Sequence, residues 1–130
     1  MDIGLMLVDR AFKYLREKIH KDIAFPQLTV FILVALNQGI TQPELAKILK
    51  VPQGTVSRNV IKLGDLLIQD KNGIWKDLGY NLVEQKPDID DPRRSACYLT
   101  KKGAVVAKGL SDLVVKGAED IAKLNYNKNR

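Results

Sequence analysis

The chain has 130 residues, 45% of them hydrophobic and 28% charged, which is enough apolar material for one small folded domain with helical arms. Its formal net charge of +6 is consistent with a polyanionic partner such as nucleic acid. Cys97 is the only cysteine and His20 the only histidine, so an intrachain disulfide is excluded and a zinc site is not expected.

The first predicted element is a helix over residues 3–20. Apolar residues recur there at spacings of three and four and make one stripe: Leu5, Val8, Phe12, Leu15 and Ile19. Such a stripe near a terminus packs either on its own domain or on a partner helix. Pro26 marks a break, and a second helix over residues 28–37 is so apolar that we expect it to be central.

A capping-box sequence, Thr41-Gln42-Pro43-Glu44, predicts the start of a third helix that ends near Leu49. We expect the Thr41 side chain to cap the first turn and Glu44 to accept a hydrogen bond from the amide of the cap residue. After a short turn over residues 50–52, a fourth helix is predicted from Gln53 to Leu66. Two short helices joined by so few residues cross at a steep angle, as in a helix-turn-helix.

The segment over residues 69–80 is harder to interpret, although Asn72-Gly73 is typical of a hairpin turn and a strand can follow it. A strand is predicted over 81–86, a polar loop over 87–92 and a return strand over 95–99, where Cys97 is expected to be buried. Thr100 caps a long helix over 101–125, and residues 126–130 are expected to fray. Apolar residues lie along one side of that helix: Val106, Leu110, Leu113, Val114 and Ile121. The predicted fold is therefore mostly α with a small β-hairpin.

The fourth helix carries a candidate DNA-binding face. If Val56 is central to the buried side, Val60 and Leu63 lie beside it. The remaining residues of interest then face outward or lie on the flank, and they are the candidate DNA contacts of this helix: Gln53, Gly54, Thr55, Ser57, Arg58 and Lys62. A helix of this kind suits a major groove, where an arginine donates two bonds to guanine. The alternative is an ordinary solvated face.

The loop between the last two strands is a second candidate contact. Arg93 and Arg94 lie near its tip, and an arginine there can enter a narrow minor groove. Asp91 can orient Arg93 through a charge-assisted hydrogen bond. Gln42, at the start of the third helix, can bond a phosphate. For the loop, the alternative is a surface turn with paired charges. For Gln42, the alternative is an exposed first-turn residue without a DNA contact.

Three stretches together resemble the MarR family of bacterial and archaeal regulators: residues 41–46, residues 54–58, and Asp91-Pro92-Arg93 followed by Leu99-Thr100 and Lys102-Gly103. The resemblance implies one winged-helix domain, with a core over 26–100 and dimerisation helices over 1–25 and 101–130. It also implies recognition by the helix at 53–63 and minor-groove insertion by Arg93. The expected dimer interface comprises Leu5, Val8, Phe12, Leu15, Leu110, Leu113, Val114 and Ile121.

The chain departs from the family pattern in two places. Lys50 and Pro52 stand where the family often has Gly and Ser, and the segment between Leu63 and Leu82 is longer than usual. That segment is an extra hairpin, a longer recognition helix or a partner surface. Many family members release DNA when they bind a small ligand, but the sequence indicates no ligand pocket and the effector is unknown.

The leading hypothesis is a sequence-specific regulator, a repressor, that binds a roughly palindromic site in double-stranded DNA as a homodimer. One alternative is a winged-helix protein of replication or of plasmid or phage maintenance, and another is a winged helix used only for protein contact. An enzyme is least favoured and no cofactor is expected, because the sequence has no Gly-rich phosphate loop and no metal-ligand cluster. With no signal peptide and no span long enough for a bilayer, we expect a cytoplasmic protein without a membrane partner.

Overall fold

The structure, a computed structural model, describes residues 2–128. The helices and strands of this part of the chain are, in order, α1 (Ile3–Lys18), α2 (Phe25–Leu36), β1 (Ile40–Thr41), α3 (Gln42–Leu49), α4 (Gln53–Leu63), β2 (Leu67–Gln69), β3 (Trp75–Asp77), β4 (Val83–Pro87), β5 (Ser95–Leu99) and α5 (Lys101–Lys128). The chain divides into two compact units. Residues 24–104 form the winged-helix unit, and α1 with α5 from Val105 onward forms the arm unit. The expected architecture, a helix-turn-helix followed by a wing, is confirmed.

Helix α2 begins earlier than predicted. It starts at Phe25 and holds Pro26 in its first turn, where a missing N–H costs little and a fixed φ suits the helix. The Gln27 side chain accepts a hydrogen bond from the Ala24 amide at 3.0 Å and so closes the helix start. The interpretation of Pro26 as a break before residue 28 is therefore wrong.

Helix α3 begins as the capping-box sequence predicts, but one half of the box differs. The Thr41 hydroxyl accepts from the Glu44 amide at 3.4 Å, which caps the first turn. The Glu44 carboxylate accepts from the Thr41 hydroxyl at 2.9 Å instead of from a backbone amide. Thr41 is also the second residue of strand β1, opposite Ala96. The reciprocal bond to the cap amide was therefore a wrong prediction.

Helix α4 is anchored by Val56, Val60 and Leu63, which are buried as predicted. It ends at Leu63, three residues before the expected end at Leu66. Gly64 follows, and a Cβ added there would lie 2.8 Å from the Val83 carbonyl oxygen. The two backbones approach so closely at this point that a side chain at residue 64 would collide with the Val83 carbonyl.

The wing belongs to an antiparallel sheet with the strand order β1-β5-β4. Strand β5 covers the predicted residues, whereas β4 begins at Val83, two residues later than expected. Cys97 of β5 is buried as predicted, and burial raises the pKa of its thiol to about 11. Strands β2 and β3 form a separate two-stranded hairpin, which identifies the extra segment as an inserted hairpin.

The arm unit pairs α1 with α5. The Tyr14 hydroxyl donates to the Val106 carbonyl at 3.0 Å, and Gly109 leaves room for the Tyr14 ring where a Cβ would collide with it. Helix α5 continues to Lys128, so the prediction that it ends near residue 125 is wrong, while residues 129–130 of the expected frayed tail lie outside the described part. Within residues 2–128, no helix combines the length and the apolar character needed to cross a membrane.

Candidate nucleic-acid interface

The outward face of α4 begins at its N-terminus. Because Val56 and Val60 point into the core, Gly54 and Arg58 lie on the exposed side. A Cβ at Gly54 would meet only the Arg58 guanidinium, at 3.7 Å, so the fold itself does not require glycine here. Glycine within a helix costs roughly 0.5–1 kcal/mol relative to alanine. Its presence leaves this end of the helix open to the close approach of another molecule.

Four polar residues accompany Gly54 on this part of α4. Arg58 is exposed, and its guanidinium donates to the Thr55 hydroxyl at 3.4 Å, along the helix surface. Gln53 is exposed in the first turn, and Ser57 is half-buried on the flank. The N-cap residue Pro52 makes no side-chain cap hydrogen bond, so no side chain caps the first turn of α4, although the Thr55 amide donates to the Pro52 carbonyl at 3.0 Å.

Lys62 does not share the open position of Arg58. Its ammonium donates to the Leu78 carbonyl at 2.5 Å and lies 4.8 Å from the centre of the Tyr80 ring. These contacts tie the C-terminal end of α4 to the segment that follows the inserted hairpin. The interpretation of Lys62 as an outward-facing cation on the same face is corrected here, because its charge is engaged within the chain.

Asp91 and Arg93 form a bidentate pair in the wing loop. Arg93 Nε lies 3.0 Å from Asp91 Oδ1, and Arg93 Nη2 lies 3.3 Å from Asp91 Oδ2. The Arg93 side chain is nevertheless 90% exposed. The hydrogen bonds from the Arg93 guanidinium, followed by the one from its backbone amide, lower the pKa of the Asp91 carboxyl. The aspartate therefore stays ionised and holds the arginine in one orientation at the surface.

Arg94 fixes the shape of the wing loop. Its guanidinium donates to Asp88 at 3.0 Å, and its backbone carbonyl accepts from the Asp88 amide at 2.8 Å. The Arg94 amide in turn donates to the Asp91 carbonyl at 2.9 Å. Two of the acidic residues of the loop are thus paired with arginine, which offsets their repulsion of a polyanion. Asp88 was not among the predicted site residues, because its pairing with Arg94 depends on the shape of the loop.

The helix-turn-helix and the wing meet at a shallow depression of about 260 Å³. Its lining brings together predicted site residues from separate elements: Gln42, Gln53, Arg93 and Arg94, with Pro43 and Ser95. The Gln42 side chain donates to the Gln85 side chain of β4 at 2.8 Å, which links the start of α3 to the wing. Gln85 was not predicted as a site residue, because only the register of β4 brings it beside Gln42.

Comparison with known proteins identifies the fold. The chain matches no protein-family model, and no curated protein sequence matches it. It is similar to the structure of S. aureus MepR in complex with DNA, with a TM-score of 0.67 and 21% identity over 98% of this chain and 90% of the other. A MarR transcriptional regulator from Methanosarcina mazei Go1 superposes with a TM-score of 0.57 and 22% identity, over 91% of this chain and 76% of the other.

Wild-type MarR from E. coli in its apo form is similar over almost the whole chain. The TM-score is 0.53 and the identity 23%, over 99% of this chain and 96% of the other. The predicted MarR resemblance is therefore confirmed at the level of the fold: the chain has the winged-helix fold of MarR-family regulators, with helices at both ends.

Proposed function

We propose that the chain is a sequence-specific DNA-binding transcriptional regulator, which binds a two-fold symmetric site as a homodimer and represses transcription by occluding a promoter. The observation that carries this proposal is the pairing of two exposed features in one unit. One is the open N-terminal half of α4 with Gly54, Thr55 and Arg58, and the other is Arg93 held at the surface by Asp91. The likeness to MepR, whose structure includes DNA, supports the same interpretation.

The two features suit the two grooves of a duplex. Arg58 donates to base edges in the major groove, where a forked guanidinium matches guanine. Arg93 enters the minor groove, and Asp91 pre-organises it for that contact. Gln42 and the N-terminus of α4, which no side chain caps, bind phosphates, and these contacts position the protein without reading sequence. Arg94 supports the loop, and we assign it an accessory contact because its charge is shared with Asp88.

The arm unit supplies the proposed dimer interface. The residues of α1 that we expect to face a partner, Leu5, Val8 and Phe12, are exposed, as is Val114 of α5. The other predicted interface residues of α5, Leu110, Leu113 and Ile121, are half-buried. Leu15 is buried within its own chain, so we no longer include it in the interface. Exposed apolar residues on two packed helices are typical of a surface that a second copy covers.

A gel-shift assay at moderate salt tests DNA binding directly. The wild type should retard DNA, and the double variant Arg58→Ala, Arg93→Ala should not, with both proteins folded by circular dichroism. A wild type that retards no DNA would favour the alternative in which the winged helix contacts only protein. Genomic location of the bound sites then separates a regulator, which occupies promoters, from a replication or maintenance protein, which occupies an origin.

The dimer is tested by the molar mass in solution. Phe12→Glu places a charge on the exposed stripe of α1 and should weaken the arm dimer. Glu17→Lys changes charge on the same helix, off the stripe, and serves as the control. If Phe12→Glu and the wild type have the same mass at every concentration, the arm unit is not the interface.

A further inference from the structure

The inserted hairpin carries several exposed apolar side chains. Leu67 and Trp75 are each 63% exposed and Ile68 is 44% exposed, and neither strand has a buried residue. The hairpin begins just beyond the C-terminal end of α4, whereas Gly54 and Thr55 lie at the other end of that helix. It is therefore well placed for a contact that leaves the proposed DNA-binding face free.

The hairpin is held in shape by its own chain. Asp77 Oδ1 accepts from the amides of Leu66 and Gly79, both at 2.9 Å, and so closes the base. Asp70 Oδ1 accepts from the amides of Asn72 and Ile74, at 2.8 and 2.9 Å, and so orders the turn. A two-stranded ribbon braced at both ends presents a pre-formed edge to a partner.

The hydrogen bonds at the two ends of β2 reveal which backbone groups face the open edge. The Leu78 amide donates to the Leu66 carbonyl at 2.7 Å, and the Asp70 amide donates to the Ile74 carbonyl at 2.9 Å. Backbone groups of successive residues in a strand point in opposite directions, so residues 66, 68 and 70 face β3. The N–H and C=O groups of Leu67 and Gln69 therefore point away from β3.

The charges distinguish the two edges of the hairpin. Strand β3 carries Lys76 and Asp77, and antiparallel pairing of two β3 strands about Lys76 would set lysine against lysine. Strand β2 consists of Leu67, Ile68 and Gln69 and carries no charge. Protein edges are commonly protected by charged residues, especially lysine, and the β2 edge lacks this protection.

We propose that β2 pairs antiparallel with β2 of a second copy of this chain, with Ile68 on the two-fold axis. Leu67 of one copy then lies opposite Gln69 of the other, and each such pair exchanges both its N–H···O=C bonds, because these residues hold the outward backbone groups. The two Ile68 side chains meet across the axis in the closely spaced, non-hydrogen-bonded position. The two hairpins become one continuous sheet.

This contact differs from the proposed arm dimer and gives each chain a second self-complementary surface. Two such interfaces per chain join dimers into larger assemblies. The strand is short, so the contact is small and weak by itself. It becomes effective at high local concentration, as when dimers occupy neighbouring sites on one DNA molecule.

Sedimentation of the full chain over a range of concentrations tests the proposal, with Ile68→Lys as the variant and Ile74→Lys as the control. Ile74 is an exposed isoleucine of the same hairpin outside β2, so the control adds the same charge away from the edge. We expect the molar mass of the wild type and of Ile74→Lys to increase with concentration beyond the mass of the arm dimer. The molar mass of Ile68→Lys should not exceed that of the arm dimer. A wild type that never exceeds a dimer, or an Ile68→Lys protein that assembles like wild type, overturns the proposal.

Two further measurements separate this contact from the arm dimer. Phe12→Glu alone should still form a dimer through β2 at high concentration, and Phe12→Glu with Ile68→Lys should be monomeric. Amide hydrogen exchange of the wild type should show protection of Leu67 and Gln69 that disappears on dilution, while Leu78 and Asp70 stay protected throughout. Concentration-independent exchange at Leu67 and Gln69 would contradict the pairing even if the mass changed.

Discussion

Arg58→Ala should weaken binding to the preferred DNA site by about 5- to 150-fold per protomer, since a bidentate contact with a base is worth about 1–3 kcal/mol. We expect this loss to arise from binding and not from folding. Arg58 is exposed and donates a long hydrogen bond, 3.4 Å, to Thr55, so removing its side chain should change the free energy of unfolding by at most about 0.5 kcal/mol.

Competition between the preferred site and random DNA of the same length, measured over a salt series, is the suitable assay. Arg58→Ala should lose discrimination between the two DNAs. Arg58→Lys should also lose discrimination but keep the salt dependence, because it retains the charge without the planar fork. Lys123→Ala, which removes a cation from α5 in the arm unit, should bind both DNAs like wild type.

Wild-type discrimination by Arg58→Ala would refute a base contact at Arg58. The base contact is also refuted if Arg58→Ala and Lys123→Ala weaken both DNAs equally, because Arg58 would then act only as a general positive charge. A clear drop in the melting temperature of Arg58→Ala relative to wild type would show that Arg58 supports the fold, which its exposed position does not predict.

Three other predictions concern the wing, the end of α4 and the core. Arg93→Ala should raise the pKa of Asp91 toward its ordinary value, which carboxyl NMR shifts can follow. Because the pKa of Asp91 is lowered in the folded protein, the Asp91–Arg93 pair is fully formed at any pH above the ordinary pKa of aspartate. The pair is lost only as the pH falls through the lowered pKa. An unchanged titration would contradict the pairing. Lys62→Met should destabilise the fold by about 1 kcal/mol through loss of the bond to Leu78, yet leave the salt dependence of DNA binding unchanged; a smaller salt slope would restore Lys62 as a phosphate contact. Cys97 should react with a thiol reagent at neutral pH only as fast as the protein opens, because the thiol is buried and its pKa is about 11; rapid reaction of the folded protein would show that β5 is accessible.

Local sequence signals predicted the elements that local chemistry specifies. Thr41 and Glu44 marked the start of α3, and the spacing of Val56 and Val60 oriented α4 correctly because helix periodicity depends only on the chain itself. The Asn72-Gly73 pair correctly indicated a hairpin turn, where Gly73 adopts a φ of 77°.

Several features that were mispredicted or missed, all outside α2 and the start of α3, involve contacts between distant residues. At Gly64, where α4 ends, a side chain would crowd the carbonyl of Val83, almost twenty residues away, and no helix-propensity pattern can reveal that approach. Lys62 looked like one more exposed cation, and only the path of the inserted hairpin brings Leu78 and Tyr80 to it. For the same reason the Gln42–Gln85 contact could not be predicted, because it depends on the register of the wing.

Selection of bound DNA from a random pool tests most directly whether the N-terminal half of α4 and Arg93 of the wing form a sequence-specific DNA-binding surface. We expect enrichment of one sequence with two-fold symmetry, its half-sites centred about one helical turn apart, as two copies of α4 in a dimer require. Recovery of DNA with no common sequence from the wild-type protein, or the same enriched sequence from the Arg58→Ala, Arg93→Ala variant, would contradict the assignment of this surface.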